Sequence, residues 1–203
     1  MSIKFKLDEL RKQLEAHATE EFELAFSFFT HNMKEYAIPT PVASKAIIEM
    51  ARRGFSNATR KLIQLGITPS LKGRRSETAL HIFAYSGDAA MTRFLIEKGV
   101  DPNTQDKDKQ TPLHWAAWAG KAETVVELLS MRTDEITANM NAIDVANRTA
   151  LYGAAGGGFA DVVRYLLQRG ADVTIRGGTN QETPLERARK RNHAAVIDLL
   201  TKH

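Results

Sequence analysis

A four-residue signature recurs along this chain at near-constant intervals, and this periodicity constrains the fold more than any other feature. Thr78-Ala79-Leu80-His81 returns as Thr111-Pro112-Leu113-His114, Thr149-Ala150-Leu151-Tyr152 and Thr183-Pro184-Leu185-Glu186, with threonine spacings of 33, 38 and 34 residues. A second marker keeps the same phase: Gly54, Gly87, Gly120, Gly158 and Asn192 are separated by 33, 33, 38 and 34 residues. A third is the apolar pair Leu62-Ile63, Leu95-Ile96, Leu128-Leu129 and Leu166-Leu167, followed in three cases by a glycine, Gly66, Gly99 or Gly170. A unit this short cannot bury its apolar side alone. Successive units must therefore stack into one continuous core.

The chemistry of one unit reads as two helices and a loop. Threonine suits the N-cap of a first helix, and proline just after it loses an N–H that has no helical partner there. Small residues follow, Ala116-Ala117 or Ala154-Ala155, which let neighbouring helices approach closely. The phased glycine fits a turn that needs an unhindered backbone. Val162, Val163, Tyr165, Leu166 and Leu167 have the apolar spacing of a second helix. Gly99 and Gly170 supply its C-terminal stop.

The pattern Thr-Pro-Leu-His-x-Ala-Ala, with glycine at the tenth position and a closing Gly-Ala-Asp, resembles the ankyrin repeat. The best copies are Thr111–Ala117 and Gly170–Val173, and the resemblance covers residues 45–203. It implies an all-α ankyrin-repeat solenoid, built of helix–turn–helix units joined by β-turn loops. Five units follow, at 45–77, 78–110, 111–148, 149–182 and 183–203, within a repeat domain spanning 43–203. The first is degenerate, with Lys45 in place of threonine, and the last is short. Arg187, Arg189, Lys190 and Arg191 are expected on the outer face of that last unit, as on a solubilising cap. Five extra residues fall within Thr133–Met140 of the third unit, between its second helix and the following loop; they read either as part of a binding face, where such insertions often lie, or as a surface loop tolerated at little cost.

Residues 1–42 show no such motif. Leu7, Leu10 and Leu14 form one helical stripe, and Phe22, Phe26, Phe29 and Met33 form a second. The run Tyr36–Pro41 is expected to break the second helix. The segment reads as an N-terminal helical cap over the first unit; the alternative is a docking element that recruits a second protein.

Several function classes are disfavoured. The chain has no cysteine, hence no disulfide framework, thiolate zinc site or cysteine nucleophile. No apolar run approaches the roughly 18 residues of a membrane span, and Met1–Asp8 lacks the apolar core of a secretory signal. An intracellular protein, monomeric by itself, is expected; export into another cell stays open. A net charge of +4 does not by itself imply nucleic-acid binding. Gly153–Phe159 does not match a phosphate-binding loop and falls in a repeat helix and turn. The resemblance implies that His81 and His114 brace neighbouring loops. No catalytic set, metal site or cofactor is expected.

The resemblance also implies a non-catalytic protein-binding scaffold and gives the positions of its concave face. At the first-helix ends these are Arg52 and Arg53, Tyr85 and Ser86, Trp118 and Ala119, Gly156 and Gly157, and Lys190 and Arg191. At the loop tips they include Arg74, Arg75 and Glu77, then Lys107, Asp108 and Gln110, then Val145, Ala146 and Arg148, and finally Thr179, Asn180 and Glu182. This subset holds eight basic residues (Arg52, Arg53, Arg74, Arg75, Lys107, Arg148, Lys190, Arg191) against three acidic ones (Glu77, Asp108, Glu182), a surplus of five. The expected site is an aromatic pocket of Tyr85 and Trp118 beside a bare Gly156-Gly157 floor, with basic flanks that steer an acidic partner. The rival reading is an acidic-polymer or nucleic-acid binder using the basic ridge. Trp115, where leucine is usual, and Phe83, where alanine is usual, are expected in the core. Ser76, Lys109 and Gln181 replace the usual loop glycine, which leaves those loop shapes open, whereas Asn147 tolerates the left-handed backbone.

Overall fold

A computed structural model describes residues 40–203, except 65 and 131–136. The two helices expected within residues 1–39, and most of the insertion in the third unit, lie outside the described residues. The described helices are α1 (Thr40–Arg52), α2 (Ser56–Gln64), α3 (Ala79–Ser86), α4 (Ala89–Glu97), α5 (Pro112–Trp118), α6 (Ala122–Ser130), α7 (Ala150–Gly157), α8 (Ala160–Gln168), α9 (Pro184–Lys190) and α10 (Ala194–Thr201). The chain is an all-α ankyrin-type solenoid: α1, α3, α5, α7 and α9 stack in series, and α4, α6, α8 and α10 form a second layer.

Each unit is punctuated by its signature. Thr78, Thr111, Thr149 and Thr183 hold extended backbone at the N-caps, and Pro112 and Pro184 open their helices. Gly87 and Gly158 end α3 and α7 in the left-handed conformation, at φ 88° and 76°. Asn192 takes the same turn at φ 58°. One boundary differs from expectation. Helix α1 starts at Thr40, inside the run expected to break a helix. Pro41 sits in the first turn, so it opens a helix rather than ending one.

The core repeats with the sequence. Leu80, Leu113 and Leu151 of the first helices are buried, as are Leu62, Leu95, Leu128 and Leu166 of the second. Ala84, Ala116, Ala117, Ala154 and Ala155 are also buried, which keeps the stacked helices close. Phe83 is fully buried, as its place in the first helix suggested.

The loops form a ladder of their own. Lys107 N–H donates to the Arg75 carbonyl at 2.8 Å, Val145 N–H to that of Asp108 at 3.0 Å, and Gly178 N–H to that of Ala146 at 2.8 Å. Ser76, Lys109 and Gln181 adopt φ of 60°, 57° and 50°, matching Asn147 at 57°. The glycine-type turn therefore persists without glycine, held by the bonds around it.

A buried carboxylate organises each of the first three loops. Asp106 Oδ1 accepts the N–H groups of Asp108 (2.9 Å) and Gln110 (2.8 Å), and Asp144 Oδ1 accepts those of Ala146 and Arg148 (2.9 Å each). The first loop has Gly73 at the corresponding position. Glu77 folds back instead and accepts the Arg75 N–H at 2.7 Å. A Cβ on Gly73 would fall 2.5 Å from the Glu77 carboxylate, so the glycine makes the room. Glu77 was expected at an exposed loop tip; it is buried because it does the work of the missing aspartate.

The histidines tie each unit to the next loop. Thr78 N–H donates to His81 Nδ1 at 3.2 Å, so the ring proton sits on Nε2, which donates to the Gln110 carbonyl at 3.1 Å. His114 does the same with Thr111 (3.2 Å) and the Arg148 carbonyl (2.9 Å). Tyr152 replaces the third histidine, and its hydroxyl approaches Glu182 Oε2 at 3.4 Å. Gly178 accommodates the longer side chain, since a Cβ there would lie 2.5 Å from the hydroxyl. Burial holds the pKa of both histidines below the ordinary 6.5, against the opposing pull of the carbonyl bonds and nearby carboxylates. The unfolded chain therefore protonates first as pH falls through 6.5. Stability should be intact above that pH and decline below it, as urea midpoints measured across the acid range will show. Replacing both histidines by glutamine should flatten that decline.

Candidate protein-binding face

The inner-helix ends and loop tips converge on the seam between α3 and α5. Tyr85, at the end of α3, is 58% exposed. Its ring meets Trp115 edge-on, with centroids 6.1 Å apart, and Trp115 meets His81 edge-on at 5.5 Å. Trp115 Nε1–H donates to Asp106 Oδ2 at 3.1 Å. Trp115 is thus only partly buried: one side packs on the core, and the other links the helix to the base of the Lys107–Asp108 loop tip. The expectation of a simple core residue missed that bond, because indole, unlike leucine, carries a donor that needs an acceptor when half buried. Val145 adds an apolar loop tip, 60% exposed.

The expected pocket around Trp118 has a different form. Its indole lies flat across α7: a Cβ on Gly153 would fall 1.5 Å from Cδ1. The Arg148 guanidinium covers the ring at 4.4 Å, and His114 abuts it at 6.2 Å. Nε1 is buried and has no hydrogen-bond partner among the described residues. Gly153, the first residue of the Gly153–Phe159 run that does not match a phosphate loop, is therefore the glycine that receives this tryptophan. Gly156 and Gly157 are not a bare floor. The Arg187 side chain lies over Gly156, and the Phe159 ring lies against Gly157. Arg187 accordingly turns inward, over Tyr152 at 5.5 Å, and not to the outer face.

The basic ridge is largely neutralised from within. Arg52 pairs with Glu77, Arg53 with Glu49, Arg75 with Asp108 at 2.5 Å, Arg148 with Asp144 at 2.6 Å, and Lys190 with Glu182 at 2.6 Å. The hydrogen bonds from Lys190 and Asn180 hold the Glu182 carboxyl down at about 2. Counting Glu49 and Asp144, eight basic side chains face five acidic ones, a surplus of three rather than five. The side chains of Arg74, Lys107 and Arg191 make no ion pair or hydrogen bond with the described residues, and all three are exposed.

The fold and its repeats agree with the comparisons to known proteins. The family model for ankyrin repeats, in three copies, matches residues 47–144 and 134–203, more than three quarters of the chain. The chain belongs to the ankyrin-repeat family. It is also similar to an ankyrin repeat protein of Acanthamoeba polyphaga mimivirus, at 38% identity over 61 residues. That match covers 30% of this chain and 8% of the viral protein, so the chain spans a small fraction of that relative. Ankyrin repeats are generally protein–protein interaction modules and are typically non-catalytic. Among the described residues, no helix is long and apolar enough to cross a membrane, and no cluster of three or more His, Asp or Glu could hold a metal ion.

Proposed function

We propose that the chain is a non-catalytic scaffold that binds a partner protein on the concave side of the solenoid, and that the partner presents an apolar centre with acidic flanks. The observation that supports this reading is Tyr85: a large aromatic ring left mostly in water, yet fixed in place by Trp115. A rigid exposed aromatic loses little entropy on binding and is a typical hot spot. Trp118 enters differently from Tyr85. It braces Arg148 against α7, so its contribution to binding is through the shape of the face. The internal pairing of five of the eight ridge cations argues against a polyanion binder, which needs many free charges.

The test is affinity capture of a partner from lysate, followed by titration of the captured protein against wild type and Tyr85→Ala. The variant should lose about 2 kcal/mol or more of binding free energy, the usual hot-spot threshold, with its folding unchanged within about 0.5 kcal/mol, as for most surface substitutions. Equal affinity in the two proteins would remove this face from the binding site.

A further inference from the structure

Resting on that reading, we propose that the partner is a linear acidic segment rather than a folded domain, and that it docks at one seam: its apolar side chain on Tyr85 and Trp115, its carboxylates on Lys107 and Arg74.

The first argument is which charges are free. At the loop tips, Arg75 and Asp108 satisfy each other, and Arg148 is committed to Asp144 and Trp118. Arg74 and Lys107 point no hydrogen bond or ion pair at any described neighbour. They sit on adjacent loops, joined through the bond from Lys107 N–H to the Arg75 carbonyl. An exposed cation already paired offers a partner little, because the new contact must break the old one. Two adjacent unpaired cations offer carboxylate sites without that cost.

The second argument is continuity. Lys107 follows Asp106 directly, Asp106 holds the Trp115 indole, and Trp115 meets Tyr85. The aromatic pair is therefore joined through Asp106 to the base of the Lys107 loop tip, and the loop that carries Arg74 is bonded to that loop. The third argument is how few apolar anchors are open. Among the described residues, the exposed large apolar side chains are Tyr85, Ile143 and Val145. Beyond Trp115, Trp118 packs on Gly153, Arg187 covers Gly156 and Phe159 lies against Gly157. A stable interface between folded proteins uses roughly 20–30 residues a side around an apolar centre, whereas short segments are recognised through one apolar anchor and a few polar contacts.

The experiment is selection of phage-displayed random dodecapeptides on the full chain. The strongest binder is then synthesised with a fluorescein label and titrated against wild type, Arg74→Glu/Lys107→Glu and Tyr85→Ala. Enriched sequences should carry an acidic surplus and one aromatic or large aliphatic residue. The labelled peptide should bind about tenfold more weakly to the charge-reversed pair, and its affinity should fall as salt is raised. Both cations are exposed and make no pair with the described residues, so that variant should keep the wild-type unfolding midpoint. Enrichment of neutral or basic sequences, unchanged affinity in the charge-reversed protein, or no enrichment at all would overturn the proposal. A folded protein captured in a Tyr85-dependent way alongside any of these results would leave the scaffold reading standing and refute only the linear acidic segment.

Discussion

Phe83→Ala should lower the unfolding free energy by about 3–5 kcal/mol, the range for deleting a buried aromatic side chain. Phe83 is fully buried in the first helix of the second unit, flanked by Ala84 and stacked between the helices of its neighbours. Alanine is usual at this position in the family, so the effect reports on packing particular to this chain. The surrounding helices are fixed by their caps and loop ladder and cannot close the void. Because each unit leans only on its neighbours, the loss should also divide the array. A single urea transition should broaden or split, with the third and fourth units outlasting the first two. A cost below about 1 kcal/mol would mean that the α1–α3–α5 stack is packed differently.

Asp144→Ala should cost about 2–4 kcal/mol, because it strips one loop of its organiser and leaves donors unpaired. The carboxylate is buried, its Oδ1 accepts two backbone N–H groups, and its Oδ2 holds Arg148 Nε at 2.8 Å. Asp144→Asn keeps an acceptor for the two N–H groups but loses the charge that fixes Arg148. It should therefore cost less, on the order of half. Both variants should release the guanidinium from the Trp118 ring. Tryptophan emission, read in a Trp115→Phe background so that Trp118 is the reporter, should change in both. Emission identical to that of the parent would show that Arg148 holds its place over the ring without Asp144.

The repeat phase made most of the fold legible. It placed the capping threonines, the buried leucines and the turn glycines, because each depends on contacts within a unit or on a position shared by all units. The loops were harder. Ser76, Lys109 and Gln181 look unsuited to a left-handed turn, yet the ladder between loops imposes it. Glu77 looked like a surface charge because its role depends on Gly73, four residues away, lacking a side chain. Such paired exchanges are readable once sought: a missing aspartate beside a new glutamate, or Tyr152 for histidine opposite Gly178.

The candidate site was legible in location and only partly in form. The resemblance to the ankyrin repeat, carried over position by position, implied that Tyr85, Trp118 and the loop cations share one side of the solenoid. It did not show which of them remain free. That depends on contacts across units, such as Trp118 on Gly153 or Arg187 on Gly156, between residues more than thirty positions apart. The pairing of Arg148 with Asp144 was an exception, since the two lie four residues apart and within direct reach in sequence. Trp115 packs on the core, as expected at a position that usually holds leucine, but its indole N–H also bonds Asp106, a contact leucine has no donor to make.

The most direct test of the central claim is site-specific photo-crosslinking to a captured partner. A photoreactive phenylalanine analogue replaces Tyr85 in one sample and Arg164, exposed on α8 in the second helix layer, in another. Adducts at position 85 with none at 164 are the predicted result. Adducts at 164 with none at 85 would place the partner on the opposite layer and contradict the account.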